Sequence, residues 1–106
     1  MKENMSKHRL VFIGTYTEEI VSNTGQIFKG MGMGKGIYVC KLDVTSGLMK
    51  QCGLAEGVPN PSYLAIDPSR RFLYAVNELR EFEGAPTGAV SAFSVEPGSG
   101  RLRFLN

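Results

Sequence analysis

The sequence predicts an all-β fold built from repeated four-stranded antiparallel units. Three observations carry this reading. No window sustains the 3.6-residue apolar period of a helix, because Gly, Pro and β-branched residues interrupt each candidate. The chain also repeats itself: RLVFIGTYT (9–17) matches RFLYAVNEL (71–79), and GIYVCKLDVTSGLMKQCG (36–53) matches GAVSAFSVEPGSGRLRFLN (88–106). Finally, the two neighbouring strands within VPNPSYLAIDPSRRFLYAVNE (58–78) are apolar on both faces, whereas a lone antiparallel sheet keeps one face polar. Short strands recurring about every 50 residues, in sheets buried on both sides, mark a radial β-repeat. Each unit then reads as one blade of a β-propeller.

The elements follow in order. Residues 1–8 are a polar leader. Residues 9–54 form a first blade and residues 55–106 a second. In the second, strands are expected at 63–67, 72–77, 89–95 and 102–105, joined by the turns DPSRR and EPGSG and by the loop NELREFEGAPTG. Pro68 supplies the fixed φ that a turn needs, with Asp67 and Ser69 as turn formers. The two copies are offset by 62 residues in their first segment and by 52 to 53 in the second, because the inserted loop at 18–35 gives the first copy about ten extra residues between Thr17 and Gly36. Within that insertion VSNTGQIF is expected to form one turn at most. The run GMGMGKG (30–36) leads into a strand rather than opening a helix, so it fails as a nucleotide-binding loop and reads as a linker.

Only MKENMSKH precedes the first apolar strand, so the first copy lacks an innermost strand of its own. In a closed ring that strand comes from the far end of the chain. Two blades cannot close a ring that takes roughly 4–8. The expectation is therefore that these 106 residues are the start of a longer protein, or a truncated form, with the remaining blades supplied by sequence beyond them. Alone, they would expose an apolar blade face and unpaired strand edges, and self-associate.

Composition excludes several function classes. Hydrophobic residues make up 42% and charged residues 21%, which is a globular balance. The 12 basic residues are scattered and the net charge is +2, so there is no basic stripe for nucleic acid. No run approaches the roughly 20 apolar residues of a membrane span. The leader's apolar run is five residues, below the about 7–15 of a secretory signal, which predicts a cytoplasmic protein. Cys40 and Cys52 fall on strands expected to be neighbours; the reading is two free thiols in a reducing compartment, with a bridge as the alternative. His8 is the only histidine, and neither it nor the cysteines have metal-site spacing, so no metal is expected.

Strand direction sorts the loops, since successive connections alternate between the two ends of a blade. The tight turns lie at one end. Asn60, Ser62, Asn77, Glu78, Arg80 and Glu83 gather at the other, with Thr15, Tyr16 and Thr17 as first-copy counterparts of 77–79. A pocket is expected at this long-loop end.

The segments LVFIGTYT, GKGIYVCKLD, LAEGVPNPSYLAIDPSRRFLYAVNE, EFEG and GAVSAF together resemble the amino-terminal part of the lactonase family of seven-bladed propellers, over roughly residues 9–106. That family includes the propeller-type 6-phosphogluconolactonases and the carboxymuconate cyclases. The resemblance implies hydrolysis of a small sugar lactone in carbohydrate metabolism, with no cofactor. It also implies that the main catalytic His, Arg and Glu groups lie in later blades. Two departures stand out: Arg70 replaces the glycine of the family's DPSGR turn, and the 18–35 segment is long.

On this reading Glu78 is the candidate catalytic residue, as a base or an orienting carboxylate, and Asn77, Arg80, Asn60, Ser62 and Tyr16 are candidate substrate-binding residues. Arg80 suits a phosphate and Asn77 a substrate oxygen. Each has a structural alternative. Asn77 can satisfy backbone groups at the strand end, Glu78 can pair with Arg80 or hold a neighbouring blade, and Ser62 can shape the lead-in to its strand. The competing functions are a non-catalytic scaffold or ligand-binding propeller, since fold alone does not fix function, and a lactonising cyclase.

Overall fold

Three Asp- or Glu-led turns determine how the chain folds back on itself. Asp43 Oδ1 accepts from the N–H groups of Thr45 (2.8 Å) and Ser46 (3.2 Å), with Gly47 in the left-handed region at φ 79°. Asp67 Oδ1 accepts from the N–H groups of Arg71 (3.1 Å) and Phe72 (3.0 Å). Glu96 is closed by Ser99, whose hydroxyl donates to its carboxylate at 2.8 Å. Such side-chain-to-backbone bonds favour turns over continued strand.

The computed structural model describes residues 7–18, 20–21, 24–28, 32–79, 84 and 88–106. Its strands are β1 His8–Ile13, β2 Ile20–Val21, β3 Ile27–Phe28, β4 Gly36–Asp43, β5 Met49–Glu56, β6 Pro61–Ile66, β7 Phe72–Asn77, β8 Ala89–Val95 and β9 Leu102–Phe104. There is no helix among the described residues. They form an antiparallel three-stranded sheet ordered β1-β4-β5, a four-stranded sheet ordered β6-β7-β8-β9, and a two-stranded hairpin β2-β3. The fold class is all-β, and the first sheet lacks the inner strand that β6 supplies in the second.

Several details differ from expectation: β1 begins at His8, inside the expected leader, and β9 ends at Phe104 rather than 105. Strand β5 runs to Glu56, past the 54/55 division between copies. Strand β6 begins at Pro61 and stops at Ile66, because Asp67 is committed to the turn. The insertion holds a short hairpin rather than a single turn, with Ile20 opposite Phe28, Val21 opposite Ile27, and Gly25 at φ 87°.

The two large sheets pack face to face. Their shared core is Ile37 from β4, Val58 from the linker, Leu73 and Ala75 from β7, and Phe93 and Val95 from β8, with Phe12, Ala55, Leu64 and Leu102 packed around them. Full burial of each large side chain stabilises by about 1.5–3 kcal/mol. Gly14 and Gly100 allow the approach. A Cβ on Gly14 would stand 2.2 Å from the Pro61 carbonyl oxygen, and one on Gly100 within 3.0 Å of Leu10 and Val39.

The expectation that both faces of the second sheet are buried holds for one face only. Leu73 and Ala75 are sealed against the first sheet, whereas Tyr63 (72% exposed), Tyr74 (42%), Val76 (41%) and Val90 (65%) line the other face in solvent. The alternation along β7 is as the sequence implied, but no third blade-sized sheet lies among the described residues to cover the outer side.

Candidate functional site

At the long-loop end the chain leaves β1 through Gly14 and runs Thr15-Tyr16-Thr17 toward the second sheet. There it meets two further segments: the linker into β6, carrying Asn60 and Ser62, and the end of β7, carrying Asn77 and Glu78. Strand β6 contains a β-bulge. Pro61 pairs with Asn77 and Tyr63 with Val76, which leaves Ser62 as the extra residue. Bulges re-aim side chains next to functional sites, and this one turns the Ser62 hydroxyl onto Glu78.

Glu78 is the centre of the exposed part of this cluster. Its Oε1 accepts from the Ser62 hydroxyl at 2.6 Å and its Oε2 from the Tyr16 hydroxyl at 2.9 Å. The Ser62 bond, followed by the Tyr16 bond, holds the Glu78 carboxyl below its ordinary range. The same bond to Glu78 raises the Tyr16 phenol. Among the described residues, two neutral donors therefore flank the carboxylate and stabilise its charge by hydrogen bonding.

The buried part of the cluster is made of amides. Asn77 donates from Nδ2 to the Pro59 carbonyl (2.8 Å) and accepts at Oδ1 from the Ser91 hydroxyl (2.7 Å). Asn60 accepts at Oδ1 from the N–H groups of Thr17 (2.8 Å) and Glu18 (3.0 Å), and donates from Nδ2 to the Glu78 carbonyl (3.0 Å). Of the sequence-derived candidates, the structure thus brings Tyr16, Ser62, Glu78, Asn60 and Asn77 together. Asn60 and Asn77 have both ends of their amides engaged by protein groups. Arg80 lies outside the described residues, as does Glu83.

Two contributors were not singled out from sequence. Thr17 is the repeat counterpart of Leu79, which placed it at the correct end without revealing that its N–H and hydroxyl both meet Asn60. Ser91 is a lone hydroxyl on the inward face of AVSAF, between Ala89 and Phe93. A polar residue at an otherwise core-facing position was the signal for its bond to Asn77.

A separate groove opens at the opposite, tight-turn end, lined by Leu10, Phe12, Ile66 and Val95 together with His8, Arg9, Lys41, Asp67 and Arg70. It lies beside the edge of β1 that pairs with no strand among the described residues. It shares no residue with the cluster around Glu78 and lies at the end opposite to it, so it is not the candidate active site. No group of three His, Cys, Asp or Glu side chains among the described residues is placed to hold a metal ion. Cys40 is buried and Cys52 exposed, and both are unpaired; Cys52 is the extra residue of a second bulge, between the pairs Val39–Gly53 and Cys40–Gln51.

Comparison with known proteins agrees with this architecture. Residues 10–106 match the family described as Lactonase, 7-bladed beta-propeller. A 6-phosphogluconolactonase of Bacillus subtilis (strain 168) is 30% identical over 95 residues, covering 90% of this chain and 22% of that protein. A Bacteroides fragilis crystal structure, described as a candidate 6-phosphogluconolactonase, superposes with a TM-score of 0.74 at 31% identity, over 96% of this chain and 24% of that one. A periplasmic gluconolactonase of Pseudomonas aeruginosa gives a TM-score of 0.68 at 33% identity, over 92% of this chain and 23% of that one. The chain thus spans about a quarter of the length of the relatives it matches. With two sheets packed as consecutive blades and a match along nearly its whole length, the chain belongs to the lactonase family of 7-bladed β-propellers.

Proposed function

We propose that this chain forms two consecutive blades of a lactone hydrolase that opens a sugar lactone, 6-phosphogluconolactone being the substrate suggested by the names of its relatives. The observation that carries the reading is the Tyr16–Glu78–Ser62 hydrogen-bonded cluster at the long-loop end.

Opening a lactone requires water at the acyl carbon, a base for its proton, and donors for the oxyanion. Glu78 is poorly matched to the base role, because Ser62 and Tyr16 stabilise its charged form and an effective base has a pKa near the working pH. Its role is that of an orienting carboxylate, accepting a hydrogen bond from a sugar hydroxyl. Tyr16 and Ser62 line the same surface and complete the polar contact. Asn60 and Asn77 hold the segments behind it. Arg80, at the start of the loop after Glu78, is the group proposed to meet a phosphate. The base and oxyanion donors are assigned to the later blades.

The unpaired Cys40 and Cys52 suit a reducing compartment, and a cytoplasmic location is proposed, although a solved relative is described as periplasmic. One observation favours a second reading: the Glu78 cluster already satisfies itself, as a structural tie between blades in a non-catalytic propeller would. A spectrophotometric assay of the protein carrying all its blades decides between them. Hydrolysis of 6-phosphogluconolactone well above the spontaneous rate supports the enzyme, and the spontaneous rate on every sugar lactone tried leaves the scaffold.

A further inference from the structure

Asn60 is one of two non-glycine residues with positive φ among those described, at 42°, and it is buried. Asparagine is among the few side chains that tolerate this region. All of its polar groups are in use. Beyond the amide bonds given above, its N–H donates to the Thr17 hydroxyl at 2.9 Å. Its carbonyl accepts from both the Ser62 N–H (2.8 Å) and the Glu78 N–H (3.1 Å). That doubly used carbonyl spans the bulge, so it is tied directly to the position of Ser62.

The segments it grips are the ones that carry the exposed cluster: Thr17 and Glu18 directly follow Tyr16, while Ser62 and Glu78 are held through their own backbone. We propose that Asn60 is a positioning residue, which holds Tyr16 of the first blade in register with Ser62 and Glu78 of the second. A short amide does this because it donates and accepts from one planar group. Glycine keeps the backbone conformation and loses the amide. The relevance to turnover rests on the reading of Glu78 as a substrate-facing group, whereas the geometric claim does not.

The test uses the protein carrying all its blades, with labelled Glu and Tyr side chains, in Asn60→Gly, Thr17→Val and Thr17→Ser forms. In folded Asn60→Gly, the Glu78 carboxyl should titrate nearer its ordinary value and the Tyr16 phenol should move down toward its own. The Thr17 and Glu18 amides should exchange roughly fivefold faster for each hydrogen bond lost. Thr17→Val should move the Tyr16 titration in the same direction, and Thr17→Ser should restore it. These two decide the matter if Asn60→Gly does not fold. Loss of stability with the Glu78 and Tyr16 titrations unmoved would reduce Asn60 to a structural latch and overturn the proposal. Because titrations are read without turnover, shifted titrations in a protein inactive on every lactone would sink the enzyme reading and leave the positioning role standing.

Discussion

Tyr16 and Glu78 stand 62 residues apart at corresponding positions of consecutive blades, and the Tyr16 hydroxyl donates to Glu78 Oε2 at 2.9 Å. The repeat thus places a donor and an acceptor at equivalent strand ends, and the packing of the two blades brings them into contact. Ser62 contributes more than Tyr16 to the low pKa of Glu78. Ser62→Ala should therefore raise the Glu78 titration further than Tyr16→Phe does. Each substitution should cost under about 1 kcal/mol, since the cluster is exposed. A carboxyl-detected NMR titration of the two variants checks the order, and the reverse order would count against this geometry.

The direction of the shifts also fixes how stability depends on pH. Glu78 is held below 4.5, and Asp67 and Asp43 below 3.8, the latter two by turn bonds led by Ser69 and by the Ser46 N–H respectively. Carboxyls depressed in the folded state contribute stability that is complete above their ordinary values and is lost as pH falls through the folded ones. Tyr16, raised above 10.0, contributes below that value and loses its share as pH climbs through the folded pKa. Thermal midpoints should be level between pH 6 and 8 and decline below about pH 4.5. A decline beginning near neutrality would require a different group.

Gly14 marks the closest approach of the blades. A Cβ on Gly14 would lie 2.2 Å from the Pro61 carbonyl oxygen, which leaves no room for even a methyl group, and the obstacle is backbone rather than a movable side chain. Gly14→Ala should destabilise by about 1–3 kcal/mol, the usual cost of overpacking. It should also displace Tyr16 from Glu78. Denaturant unfolding measures the first effect and loss of the Tyr16 phenol shift the second.

Arg70 occupies the left-handed region at φ 62° in the turn between β6 and β7, where glycine costs nothing sterically. Arg70→Gly should stabilise by up to about 1 kcal/mol, partly offset by the greater freedom of glycine in the unfolded chain. A raised denaturation midpoint is the expected result.

Much of this was legible in the sequence, for identifiable reasons. Strands β7 and β8 were placed to the residue because Phe72–Asn77 and Ala89–Val95 are largely apolar runs set off by turn and loop signals. Arg70 stands where the resemblance has a glycine, and its φ is positive there. The β2-β3 hairpin escaped notice because two-residue strands carry no measurable period, although Ile-Val and Ile-Phe do flank a turn containing Gly25. The gathering of Tyr16, Ser62 and Glu78 at one end followed from strand direction. Their hydrogen bonds did not, because they depend on a bulge at Ser62 and on positive φ at Asn60, and neither has a signature in a single sequence. The exposed face carrying Tyr63 and Val90 read as buried because apolarity records what a surface is built to meet, and its partner is not among the described residues.

The central claim is that Glu78 serves substrate at the long-loop end. It is tested most directly by kcat/KM for 6-phosphogluconolactone in the complete seven-bladed protein and its Glu78→Gln variant, with Arg70→Gly at the opposite end as control. Loss of a hydrogen bond to a charged acceptor predicts a fall of about tenfold or more for Glu78→Gln, with Arg70→Gly unchanged. A Glu78→Gln enzyme as active as the parent would contradict the account.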